Sequence, residues 1–169
     1  MASAIAKGLR EKSDAAWANL TRQLQGMEPC MDRSDAPGQW TTRELLSHLL
    51  GEPGWHPVDF LKKFSTTTLP PGEITPGQSK VTSERQKMTL KQFLDALDAR
   101  RQSVLAYVES LPEADLQQRK ARIPIFKQLM GTDEIPIHVY AGVLLDRHWS
   151  DHVGQLAKIR KAVGLPDAK

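Results

Sequence analysis

The sequence predicts an all-α fold, a four-helix bundle with a long crossover loop between its second and third helices. Three observations predict it. Apolar residues recur at three- and four-residue steps along four long stretches, the period of an amphipathic helix. Strand signals, meaning alternating runs rich in β-branched and aromatic residues, are scarce. Two capping boxes and several Pro/Gly breaks mark where helices would start and stop.

Ile5, Leu9, Ala16, Leu20, Leu24 and Met27 form the stripe of the first helix, and Glu28-Pro29 ends it. Asp35-Ala36-Pro37-Gly38 belongs to the loop that follows. Thr41-Thr42-Arg43-Glu44 then reads as a capping box, with Trp40 and Leu45 placed as a hydrophobic staple. It opens a second helix carrying Leu45, Leu46, His48, Leu49 and Leu50, interrupted by Gly51, Pro53 and Gly54. Pro57 starts a short extension through Phe60, Leu61 and Phe64.

Residues 65–84 are rich in Thr, Pro, Gly and Ser and lack periodicity. A connection of that length in a small domain is a crossover or a functional loop. Thr89-Leu90-Lys91-Gln92 caps the third helix, whose stripe runs from Leu90 through Phe93, Leu97, Val104 and Val108 to Leu111, before Pro112. Residues 116–131 are ambiguous, with Ile123-Pro124-Ile125-Phe126 as a short extended piece. Thr132 or Asp133 caps a fourth helix that tolerates Pro136 in its first turn and runs to Val163, with Gly164 just beyond. No repeat or second domain is visible, so residues 1–169 read as one domain.

Composition narrows the function classes. A chain of 169 residues can bury roughly 70% of its unfolded surface in one core. Its 40% hydrophobic and 25% charged content is that of a water-soluble domain. No apolar run approaches the ~18–20 residues that cross a bilayer, and residues 1–10 lack the apolar segment of a secretion signal. Cys30 is the only cysteine, which excludes an internal disulfide and a Cys-rich zinc site and makes the cytoplasm the expected compartment. The net charge of +3 does not call for nucleic acid. Arg119, Lys120 and Arg122, with Lys158, Arg160 and Lys161, read as solvated surface.

The chemistry concentrates in His148-Trp149-Ser150-Asp151-His152. Imidazoles four residues apart share a helix face, with Cβ atoms roughly 5–6 Å apart, close enough to reach one ion. They lie on a stripe with Ala141, Leu145, Gln155, Leu156 and Ile159. His48 lies on the apolar face of another helix, between Leu45 and Leu49. A lone His on such a face is more often a hydrogen-bonded core residue than a ligand. Three, from two facing helices, point to a metal site. Neutral imidazole suits Zn²⁺, Ni²⁺, Fe²⁺ or Cu²⁺, and an apolar wall disfavours the competing protonated form. Three His ligands leave positions open, as in catalytic rather than structural sites. Such an ion would lower the pKa of water or a thiol, or polarise a carbonyl. Glu52 and Gln155 are candidate hydrogen-bond partners for the imidazoles. His138, roughly 15 Å along the helix from His148, is too far to share the ion, and His56 reads as a loop or cap residue. Trp17, Trp40 and Trp149 read as packing. A metallopeptidase is excluded, because Trp149 stands where His-Glu-x-x-His needs Glu and no Glu follows His152 for the inverted pattern.

Trp40-Thr41-Thr42-Arg43-Glu44-Leu45-Leu46-Ser47-His48-Leu49, taken with His148-x-x-x-His152-x-x-Gln155-Leu156, resembles the DinB-like (YfiT-like) four-helix bundles over nearly the whole chain. The resemblance implies that His48, His148 and His152 match that family's metal triad. It also implies a divalent ion (Zn, Ni or Fe), a small-molecule substrate, a homodimer, and either hydrolysis or transfer involving a low-molecular-weight thiol as co-substrate. The family includes members without assigned activity, so a non-catalytic metal- or ligand-binding bundle is the alternative expectation.

Overall fold

A computed structural model describes residues 2–168, leaving only the two ends of the expected 1–169 domain, Met1 and Lys169, outside the described residues. Its architecture is the all-α bundle that the sequence predicts. Helix α1 spans Ala4–Leu24, with the Ser3 hydroxyl accepting the Ala6 N–H at 3.2 Å. Helix α2, Thr42–Leu50, begins at a complete capping box. Thr41 Oγ1 accepts the Glu44 N–H at 3.2 Å, and Glu44 Oε2 accepts the Thr41 N–H at 2.8 Å. Gly51, at φ +72°, ends α2 with a left-handed turn that favours glycine. Helix α3, Pro57–Leu61, is capped by His56. Helix α4, Leu90–Ser110, starts at the Thr89/Gln92 box. No helix among the described residues is long and apolar enough to cross a membrane.

The region between α4 and the fourth long helix is more ordered than its sequence signals. Two short helices, α5 (Glu113–Gln118) and α6 (Ile125–Met130), flank strand β1, Lys120–Arg122. The extended piece thus lies just before Ile123-Pro124-Ile125-Phe126, because Pro124 adopts helical dihedrals and leads into α6. Strand β2, Glu134–Pro136, pairs antiparallel with β1 in the register Lys120↔Pro136, Ala121↔Ile135, Arg122↔Glu134. That pairing corrects the expected start of the fourth helix. Pro136 is extended, at ψ 158°, and caps α7 (Ile137–Gly142) rather than lying in the first turn of a helix begun at Thr132 or Asp133.

The fourth long helix is also not uniform. Between α7 and α8, His148–Ala162, residues Val143–Arg147 form a π-helical turn, and the His148 N–H donates to Val143 O five residues back. The extra residue resets the helix phase immediately before the His148/His152 pair.

α1 packs on α4 and α8, and α2 on α4 and α8. The core divides into two clusters. One gathers Leu20, Leu24, Leu45, Leu46, Phe93, Leu97 and Leu156, and the other Val104, Leu105, Leu116, Ile137, Tyr140 and Leu145. Polar side chains fall between them in sequence. Buried Arg101, between Leu97 and Val104, reaches Asp14 at 2.6 Å and Asp98 at 2.9 Å. His148 lies between Leu145 of one cluster and Trp149 of the other.

The basic residues read as solvated surface are partly structural. Arg160 is buried and donates to Pro166 O at 2.6 Å and Gln23 O at 3.0 Å, tying α8 to the end of α1. Arg119 donates to Phe64 O at 2.9 Å. Backbone carbonyls hold both guanidinium groups.

Candidate metal centre

α2 and α8 together bring His48, His148 and His152 to one place. One ring nitrogen from each lies within 4.8 Å of the other two. Ring centroids are 4.8 Å apart for His48–His148, 5.0 Å for His48–His152 and 4.9 Å for His148–His152, a near-equilateral arrangement of half-buried imidazoles. The capping box fixes where α2 begins and hence which residues face α8. The π turn fixes the phase of the other two.

Hydrogen bonds determine which nitrogens are free. His48 Nδ1 lies 2.8 Å from Gln78 O. A carbonyl only accepts, so Nδ1 carries the proton and Nε2 of the neutral ring is bare. His152 Nδ1 lies 2.6 Å from Gln155 Oε1, and the same reasoning leaves its Nε2 bare. His48 Nε2 and His148 Nε2 approach to 2.8 Å. Two lone pairs at that separation repel. A proton on His148 satisfies the contact in the metal-free molecule, and a cation would replace that proton. Burial, above all, pushes the His148 pKa down to about 3, with the charges of His152, His48 and Arg100 acting in the same sense. Burial also lowers the pKa of His48. Neutral nitrogens with converging lone pairs form a donor set that fits a divalent ion.

Two of the three, His48 and His152, line a cavity of about 410 Å³ together with Trp40, Gln155, Lys158 and Asp35, among others. The Trp40 ring is 4.9 Å from that of His48 and stacks near-parallel on His152 at 6.4 Å. A tryptophan that reads as packing is therefore also a wall of the site. The volume lies within the range of small-molecule pockets, about 300–1,000 Å³.

Other expectations are redistributed. Glu52 does not reach an imidazole but pairs with Lys80 at 3.0 Å, because the Gly51 turn takes the chain off the α2 face before residue 52. Its expected role on His48 falls to the Gln78 carbonyl, which has no side-chain signature in sequence. Gln155 does contact His152, as its spacing predicts. His138 bonds Leu116 O at 2.9 Å, away from the triad, and His56 caps α3.

The profile of the DinB superfamily matches residues 6–130, a span that includes His48 and precedes the other two histidines. YfiT from Bacillus subtilis, described as a probable metal-dependent hydrolase with an unusual four-helix bundle topology, is similar in structure with a TM-score of 0.70. That likeness covers 95% of this chain and 89% of the other at 17% identity, and it speaks for the fold. No curated protein matches the chain significantly in sequence.

Proposed function

The chain belongs to the DinB superfamily, and from that premise we propose that it is a divalent-metal-dependent enzyme acting on a small molecule. In this reading His48, His148 and His152 hold the ion, and the reaction is hydrolysis or transfer to or from a low-molecular-weight thiol. The observation that carries it is the convergence of three imidazoles, two of which, His48 and His152, line an open cavity and have Nδ1 bound to an oxygen. A bound ion would act as a Lewis acid, polarising a substrate and lowering the pKa of water or a thiol. The protein's own groups do the rest. The Gln78 carbonyl and Gln155 orient two rings, Trp40 walls the cavity, and Lys158 and Asp35 place one charge of each sign at its lining.

A second reading, metal or ligand binding without turnover, draws on one observation. Among the described residues, Asp35 is the sole carboxylate lining this cavity, and it is exposed. A site with one solvated acid has limited means for general acid–base catalysis.

Metal analysis of the purified, untagged protein tests the common premise. Near-stoichiometric metal is expected in the wild type, lost in His48→Ala and in a His148→Ala/His152→Ala double variant, with far-UV helicity retained. Full occupancy in His48→Ala would overturn the triad. Turnover against a panel of thiols, electrophiles and hydrolysable esters and amides separates the readings. A ligand-dependent thermal shift without product supports the second.

A further inference from the structure

A second cavity, of about 430 Å³, lies beyond the C-terminal end of α2, and its lining includes Arg85, Arg100, His56 and Trp55. Arg43 is bound by Asp32 at 2.6 Å, and Arg101 by Asp14 and Asp98. Arg160 donates through Nε and Nη1 to carbonyls. Arg85 and Arg100, like Arg160, have no ion-pair partner among the described residues, and each donates from its side chain through Nη1 alone. The side-chain hydrogen-bond contacts of Arg85 all involve Nη1, whose two hydrogens are shared among Ser47 O at 2.9 Å, Ser47 Oγ at 3.1 Å, Gly51 O at 2.7 Å and Lys80 O at 3.2 Å. Arg100 Nη1 donates to Leu50 O. Each guanidinium therefore keeps Nε and Nη2 without a partner among the described residues.

Gly51 allows the approach of Arg100, since a Cβ there would stand 3.0 Å from Nη2. The Arg100 guanidinium also lies over the Trp55 ring, 5.0 Å from its centroid. Burial pushes the Arg100 pKa down to about 10, and the like charge of Arg85 acts in the same sense. The group is still a cation at neutral pH. His56 adds a third donor. Its Nδ1 accepts the Val58 N–H at 3.3 Å, so the proton of the neutral ring is on Nε2. The acids on this cavity's lining are Glu52, held by Lys80, and the exposed Glu84.

Two half-buried cations sharing one cavity repel, and the free N–H groups of a guanidinium are shaped for bidentate contact with an oxyanion. We propose that this cavity is an oxyanion-binding site, taking the phosphate or carboxylate group of a small ligand between Arg85, Arg100 and His56 Nε2–H. Two positive charges favour a dianion, so phosphate should bind more tightly than a monocarboxylate. Its lining shares no residue with that of the cavity bounded by Trp40, His48 and His152.

Calorimetric titration of the full-length protein with inorganic phosphate, and separately with acetate, tests the proposal. Saturable phosphate binding is expected, tighter than acetate and weakened by added salt. Arg100→Gln keeps a donor for Leu50 O but removes the charge, and should weaken phosphate by at least about tenfold. Phosphate binding unchanged in Arg100→Gln, as would follow if the anion bound only at the histidines, overturns the proposal. So does an absence of saturable binding to the wild type. If Arg100→Gln fails to fold, ¹⁵N-arginine spectra of the unaltered protein answer the same question. The Nε–H resonances of Arg85 and Arg100 should shift as phosphate is added, and resonances that stay still through a binding isotherm would sink it. Tighter acetate than phosphate would overturn the preference for a dianion.

Discussion

Gln155 acts on the triad through a single contact. Its Oε1, 2.6 Å from His152 Nδ1, fixes both the tautomer and the tilt of that ring while the rest of the side chain is exposed. Partners of this kind raise ligand basicity, and their loss costs roughly 10- to 100-fold in metal affinity. Gln155→Ala should therefore weaken metal by about that factor, measured by competition with a chromogenic chelator, and leave helicity and thermal stability of the metal-free protein unchanged. An unaltered affinity would show that His152 is oriented without it. At this scale the sequence is informative where the candidate site is built from side-chain type at helical spacing. His148, His152 and Gln155 recur at steps of four and three, and the structure places them on one side of α8. It was uninformative where the backbone acts, because Gln78 contributes only its carbonyl. It misled at Glu52, whose one-turn spacing from His48 means nothing once Gly51 has left the helix. Nothing in the sequence marks Arg100, because an arginine on a helix ordinarily faces water.

The π turn at Val143–Arg147 is where a single element decides the site's geometry. It adds one residue to the helical path, and each residue rotates an α-helix by about 100°. Deleting Leu144 would convert the turn to regular α-helix. Ile137, Tyr140 and Ala141, buried in the core cluster, could then no longer stay in phase with His148 and His152. The expected outcome is retained far-UV helicity with metal affinity reduced by at least about tenfold. Wild-type affinity in the deletion would mean that the turn is incidental. Nothing in Gly142-Val143-Leu144-Leu145-Asp146-Arg147 announces it, since the run has no proline and keeps an apolar stripe. The capping boxes at Thr41 and Thr89, in contrast, were readable because the chemistry that starts a helix is local. The ribbon of β1 and β2 was not, because three residues per strand are too few to display alternation, and its pairing joins segments more than ten residues apart.

Across the whole molecule, the bundle was legible because four apolar stripes must bury one another, and a helix needs little else to find its place. The division into two clusters was not, since it depends on where polar residues from different helices meet. The metal reading has a consequence at this scale. An ion that binds the folded state alone stabilises it by about 2.7 kcal/mol when present at about a hundred times its dissociation constant. For a chain of this size that corresponds to about 5–10 °C in melting temperature. Calorimetry of metal-loaded protein should show a rise of that order, reversed by EDTA; a midpoint indifferent to both would leave three hydrogen-bonded core imidazoles. His48 and His148 are 100 residues apart in the chain, with the exposed segment 73–78 between them. A protease cutting before Gln78 would leave His48 on one fragment and the His148/His152 pair on the other. The ion would then be a rivet between two separate polypeptides, added to the packing of α1 and α2 on α4 and α8 that already clasps them.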